Sequence, residues 1–163
     1  MFKVSRKSEY ALIAVQHLCR QPRNTLISVA ELAMAQNMPP DILAKVLQGL
    51  KKSGILTATK GSGGGYRLAK HPADIRFLDV VRPFEEQIAV VACQSDAPTA
   101  CDRTDNCTLR EPMAVLNNFV IKQFDSLTME AFIAPHAHGR SQNLNDSGVA
   151  AHATAMGRRG HAA

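Results

Sequence analysis

The stretch SVAELAMAQNMPPDILAKVLQGLKKSGILTATKGSGGGYRL, residues 28–68, decides the fold. It opens with Ser28-Val29-Ala30-Glu31, a helix start in which the serine oxygen can accept the Glu31 amide while the glutamate reaches back to the serine. That helix is expected to run to about Gln36. Asn37-Met38-Pro39-Pro40 must then turn, because adjacent prolines supply no amide donors and hold the residue before each out of the helical region. Pro40 suits the first turn of a second helix, over about 40–52. There Leu43, Val46, Leu47 and Leu50 make one apolar stripe, and Asp41, Ala44, Lys45, Gln48 and Lys52 face the other way. Gly54 closes this helix as a C-terminal cap. Two short helices around a tight turn, the second with a polar and basic outer face, read as a helix-turn-helix.

The remainder of the stretch adds a hairpin. Ile55 to Thr59 and Tyr66-Arg67-Leu68 are strand-like, and Lys60-Gly61-Ser62-Gly63-Gly64-Gly65 between them is a glycine-rich tip. A hairpin directly after the second helix is the wing of a winged helix-turn-helix. A phosphate-binding glycine loop is the rival reading, but the Gly-Lys-Ser/Thr ending it requires is missing.

Outside this stretch, Leu12, Ile13, Val15, Leu18 and Cys19 fall at helical intervals, predicting a helix from Ser8 to Arg20. A short apolar piece, Leu26-Ile27, follows. Residues 72–86 predict a short amphipathic helix around Phe77, Val80 and Val81, before Pro83. Leu109, Met113, Leu116, Val120 and Phe124 recur on a long helix of about 108–126, with Thr108 and Glu111 placed to cap it. So long a stripe predicts cover by the same helix of a second subunit, with packing on the chain's own domain as the alternative. From Ala134 onward the apolar periodicity ends, and 134–163 reads as a disordered tail whose His136, His138, His152 and His161 are solvated. The expected fold is mainly α with a small β-wing. Residues 1–75 would form a winged helix-turn-helix domain, and 76–133 a cysteine loop with a long dimerisation helix.

Charge follows the same division. Residues 1–71 carry 11 Lys or Arg against three acids, a net of +8, and residues 72–163 carry a net of −3. A basic N-terminal half fits a polyanion, foremost nucleic acid. With 163 residues and 45% hydrophobic composition the chain can build one compact core. It has no apolar run long enough to span a membrane and no apolar signal segment near its start, which predicts a cytoplasmic protein without a membrane partner.

Cys93, Cys101 and Cys107 lie in one polar stretch as Cys-x7-Cys-x5-Cys, directly before the long helix. Three thiols leave one unpaired in any disulfide scheme, so a soft-metal or iron–sulfur site fits them better. A winged-helix regulator using zinc or thiol oxidation would share these features, and so would a loop that merely tolerates cysteine. An enzyme would need convergent acid–base groups, and the sequence offers no such set. Cys19, within an apolar helical pattern, reads as a buried structural cysteine.

Taken together, the Lys3-Val4-Ser5-Arg6-Lys7-Ser8-Glu9-Tyr10-Ala11 start, the Gly61-Ser62-Gly63-Gly64-Gly65-Tyr66-Arg67-Leu68 wing and the cysteine loop before a long helix resemble the Rrf2 family of bacterial transcription regulators. The resemblance covers about residues 1–133 and is nearest the branch that senses iron–sulfur status, iron or nitric oxide, with its RirA-, NsrR- and IscR-like members. It implies a homodimer that binds a double-stranded DNA operator and carries an iron–sulfur cluster (4Fe–4S or 2Fe–2S) on Cys93, Cys101 and Cys107. The acid that completes the cluster from the partner's first helix in NsrR-like members falls at Glu9. Arg110 stands where IscR-like members have a histidine, which excludes that ligand. Ala44 stands where some of them carry a base-reading glutamate, so their operator preference does not transfer.

On DNA, the 40–52 helix would enter the major groove with Pro39, Pro40 and Asp41 near base edges, Gln48 able to read adenine and Lys45 at a phosphate. Lys60 with Gly61, Ser62, Gly63 and Gly64 would reach the minor groove or backbone, and Ser28 and Tyr66 complete the DNA-facing set.

Overall fold

The computed structural model describes residues 4–94 and 106–134. Helix α1 (Arg6–Cys19) begins two residues earlier than the apolar pattern predicts, because Ser5, in extended backbone, accepts the Ser8 amide and caps it. Its fully buried residues include Ala11 and Ala14 as well as Val15. Those two small side chains let another helix approach closely, and α1 packs on the helix of residues 40–52.

Helix α2 (Val29–Gln36) starts at the reciprocal pair expected from the sequence. The Ser28 amide donates to Glu31 Oε2 at 2.8 Å, and the Glu31 amide donates to Ser28 Oγ at 3.2 Å. Asn37, in the left-handed region at φ 49°, ends the helix, and the Met38 amide returns to the Ala33 carbonyl at 2.9 Å. Helix α3 (Pro40–Lys52) follows after a three-residue turn. Leu43, Val46, Leu47 and Leu50 are at most 1% exposed. Gly54, at φ 75°, closes α3: its amide reaches the Lys51 carbonyl and the Ile55 amide reaches Leu50.

Strands β1 (Leu56–Thr59) and β2 (Gly65–Leu68) pair antiparallel, from Leu56 opposite Leu68 to Thr59 opposite Gly65. The Leu26-Ile27 piece finds its use here, since Ile27 bridges Tyr66 through two backbone hydrogen bonds of 2.8 and 3.0 Å. The backbones come so near that a Cβ on Gly65 would lie 2.6 Å from the Ile27 carbonyl, and one on Gly64 would lie 2.2 Å from the Thr59 oxygen. Glycine is required at both places for contact rather than for flexibility.

The single helix predicted within 72–86 is instead three pieces. A 3-10 turn (Pro72–Asp74), helix α4 (Phe77–Val81) and a second 3-10 turn (Arg82–Phe84) follow one another. Pro83 has no amide to continue the α-helical ladder, so the chain tightens there. Helix α5 (Arg110–Ser126) begins too late for Thr108 to cap it; Leu109 takes the cap position and makes no side-chain hydrogen bond. A sixth helix that the periodicity did not reveal, α6 (Met129–Ile133), is capped by Thr128.

The end of α5 and all of α6 fold back on the domain. Phe77 lies between Phe124 and Phe132 at centroid distances of 5.6 and 5.4 Å, and Arg76 pairs with Asp125. The long stripe is therefore divided. Phe124 packs inward beside Ile121, Met113 and Val120 are half-buried, and Leu109 and Leu116 stay exposed, as do Val115 and Phe119 outside the stripe, at 44–71%.

Gly65→Ala is expected to destabilise the protein by about 1–3 kcal/mol, as overpacking does. Gly63→Ala, with nothing within 4 Å of its Cβ, should stay within about 0.5 kcal/mol. Urea unfolding of the two variants checks the contrast.

Candidate nucleic-acid interface and cysteine site

With its apolar stripe buried, α3 must present its other face to solvent. Pro39, Pro40, Asp41, Lys45 and Gln48 are exposed there, and Ala44 is half-buried. Between α3 and the wing lies a cleft of about 480 Å³ lined by Gln48, Lys51, Lys52, Thr59, Lys60 and Tyr66, with no carboxylate in its wall. Among the described residues the ion pair is Arg76 with Asp125, so Lys45, Lys51, Lys52 and Lys60 face solvent without an anionic partner. Unpaired cations in a concave wall concentrate positive potential there.

The wing tip residues Lys60, Gly61, Ser62 and Gly63 are exposed, and Gly64 is half-buried. Tyr66 is half-buried against the core, and its backbone is committed to Ile27. Ser28 is likewise half-buried, with its oxygen engaged at the α2 cap. The hydrogen bonds that Glu31 accepts there, from the Ser28 backbone first and its side chain second, hold its carboxyl below the ordinary range.

Two residues of this surface escaped the sequence reading. Lys51 lines the cleft, although it sits at the edge of the helical wheel beside the apolar stripe. Ile42, 39% exposed, is an apolar side chain on the open side of α3. Its spacing from the buried stripe was the available signal.

At the other end of the chain, Cys93 lies in a one-turn 3-10 element (Ala92–Gln94), and Cys107 stands just before α5, its carbonyl accepting the Arg110 amide at 3.3 Å. Both are free, half-buried thiols. Cys101 lies outside the described residues, as does the 135–163 part of the expected tail. Glu9 is exposed in the first turn of α1. Among the described residues no three His, Cys, Asp or Glu side chains are grouped to hold a metal ion, so Glu9 does not join Cys93 and Cys107 of its own chain. Free, partly exposed thiols at both ends of the segment that carries the third are a donor set suited to a thiolate-held metal or cluster.

The Rrf2 family, described as iron-dependent transcriptional regulators, matches residues 4–135. The chain belongs to the Rrf2 family. A Rhodobacter capsulatus protein named as an rrf2-like HTH-type transcriptional regulator is 30% identical over 80% of this chain and 92% of its own length. The HTH-type transcriptional regulator NsrR of Halalkalibacterium halodurans is 33% identical over 63% of this chain and 70% of its own. Among solved structures, CymR, the global cysteine regulator of B. subtilis, shares the fold with a TM-score of 0.67 and 24% identity, covering 82% of this chain and 97% of CymR. This Rrf2 protein is therefore a DNA-binding transcription regulator and not an enzyme. No helix among its described residues is long and apolar enough to cross a membrane.

Cys19 stands apart from the cysteine segment on α1, and burial pushes its thiol up to about 11. At pH 8 its thiolate fraction is then roughly one part in a thousand. Alkylation of Cys19 is expected to be very slow at pH 8 and to speed up steadily toward pH 11, as peptide mass spectrometry would show.

Proposed function

We propose that this Rrf2 regulator acts as a homodimer whose affinity for a double-stranded operator follows an iron–sulfur cluster held by Cys93, Cys101 and Cys107. The observation that carries this reading is the pair of free, half-buried thiols flanking the segment with the third cysteine, immediately before α5. The iron dependence of the family and the relative named NsrR support it. When bound, such a cluster supplies redox- and iron-sensitive chemistry.

The chain's own residues supply the rest. Cys107 precedes a helix N-terminus, whose partial positive charge favours thiolate. Glu9, exposed on α1, is the candidate fourth ligand toward the other subunit. The exposed Leu109, Val115, Leu116 and Phe119 of α5 are the candidate dimer contact. Residues 1–75 would carry the DNA contacts and 76–133 the sensing and dimerisation. In the major groove, Gln48 reads a base and Lys45 holds a phosphate, while Lys51, Lys52 and Lys60 draw the backbone toward the wing.

Anaerobic purification with absorbance, iron and sulfide analysis tests the reading. A coloured protein is expected, and each of Cys93→Ala, Cys101→Ala and Cys107→Ala should lose the colour. Glu9→Ala should keep it but release iron to chelator faster. A colourless protein containing zinc, or one whose thiols oxidise reversibly, would replace the cluster with the alternative thiol chemistry.

For DNA, Lys45→Ala is expected to weaken binding to all sequences and reduce the salt slope by about one. Gln48→Ala should relax preference at one base step, worth roughly 1–3 kcal/mol. Mobility-shift titrations across salt and sequence separate the two.

A further inference from the structure

A glycine in a helix interior is destabilising unless something needs the missing side chain. Gly49 stands within α3, one residue after Gln48, and a Cβ there would lie 2.7 and 2.9 Å from Cε1 and Cζ of Phe84. The phenyl ring thus rests on the bare backbone of α3, on a side that the apolar stripe does not use. The next residue, Glu85, reaches a different helix. Its Oε1 accepts the Ser5 amide at 2.7 Å and the Ser8 hydroxyl at 2.5 Å, at the capped start of α1. Burial acts to raise the Glu85 carboxyl, but these Ser8 and Ser5 hydrogen bonds outweigh it and leave it below the ordinary value.

Five residues farther on, the Val90 amide donates to Asn117 Oδ1 of α5 at 2.9 Å. Ser8 and Asn117 are the buried polar side chains among the described residues, at 0% and 7% exposure. Each anchors one end of residues 85–90. Buried polar groups lose much when unpaired, so these two contacts fix the segment firmly. Cys93 lies three residues beyond the second anchor.

We infer that residues 84–90 are a strap that positions α3 against DNA and links it to the cysteine end of the chain, with Phe84 and Glu85 as positioning residues. Phe84 sets the seat of α3, Glu85 holds the strap to α1, and Val90 holds it to α5. A shift of the chain at Cys93 is then delivered to α3 through packed atoms rather than through a flexible loop. The seat of Phe84 on α3 rests on the geometry; the positioning of α3 against DNA rests on the proposed major-groove placement, and the link to the cysteines on the proposed cluster.

The test uses a duplex selected by the full-length wild-type protein from a randomised pool. Gly49→Ala is expected to lower affinity about fivefold or more, and Gly49→Ala with Phe84→Ala to recover most of it, because neighbouring residues couple through their shared contact. Gly49→Ala with Phe84→Leu, which keeps an apolar group but removes the ring, should also recover and guards against a poorly folded alanine variant. A direct clash of the added methyl group with DNA would give no such rescue. Wild-type affinity in Gly49→Ala, or a double variant no better than it, would overturn the positioning role.

A second arm compares affinity before and after iron chelation. Glu85→Gln is expected to bring the ratio of the two affinities toward one while leaving the absorbance spectrum unchanged. A full wild-type ratio in Glu85→Gln would overturn the link. A wild-type ratio of one would instead count against the cluster reading and the link, with the Gly49–Phe84 rescue still deciding the positioning role.

Discussion

Leu43, Val46, Leu47 and Leu50 can be buried on only one side of α3, and that side faces the alanines and Val15 of α1. Complete burial of each such side chain contributes about 1.5–3 kcal/mol, so turning α3 about its axis would forfeit the main stabilisation of the small domain. The orientation of Asp41, Lys45 and Gln48 follows from this packing and not from any contact of their own. The wing is set against the same framework, through β1 leaving the end of α3 and through the two hydrogen bonds between Tyr66 and Ile27. The polar outer face of α3, the surface proposed to meet DNA, is thus carried by an apolar seam behind it.

A second seam holds the C-terminal elements. Phe77 between Phe124 and Phe132 draws the end of α5 and the short α6 onto α4, and backbone hydrogen bonds from Phe77 to Leu127 and from Met129 to Ile75 secure them. The earlier part of α5 projects with Val115 and Phe119 uncovered. One helix thereby serves both the core of its own chain and an apolar outer face. The strap of residues 84–90 runs between the two seams, held to α1 at Glu85 and to α5 at Val90, and Cys93 follows three residues later.

The helix-turn-helix was legible because its signals are local. The Ser28–Glu31 pair, the two prolines and Gly54 each dictate backbone geometry within a few residues, and the stripe on α3 is a simple periodicity. What the sequence hid depends on partners far along the chain. Gly49 looks like a weak helix residue until Phe84 is placed on it, and Glu85 meets Ser5 and Ser8 across about eighty residues. The stop before Pro83 was legible, but the 3-10 turns on either side of α4 and the helix α6 were missed since segments of three to five residues carry too little periodicity to stand out. At the candidate site, the basic face and wing were readable from composition and spacing. Lys51 needed the hairpin's actual position, which turns the edge of α3 into the wall of a cleft.

In the proposed mechanism the state of Cys93, Cys101 and Cys107 governs the DNA affinity of the α3 face. The most direct measurement is a fluorescence-anisotropy titration of one selected duplex, under anaerobic conditions, with the protein as purified and after its iron has been removed by chelator. The two affinities are expected to differ by about tenfold or more, within the range of coupling between linked sites, and a Cys101→Ala variant to give one affinity in both conditions. Equal affinities for the two wild-type forms, with iron loss verified by analysis, would contradict it.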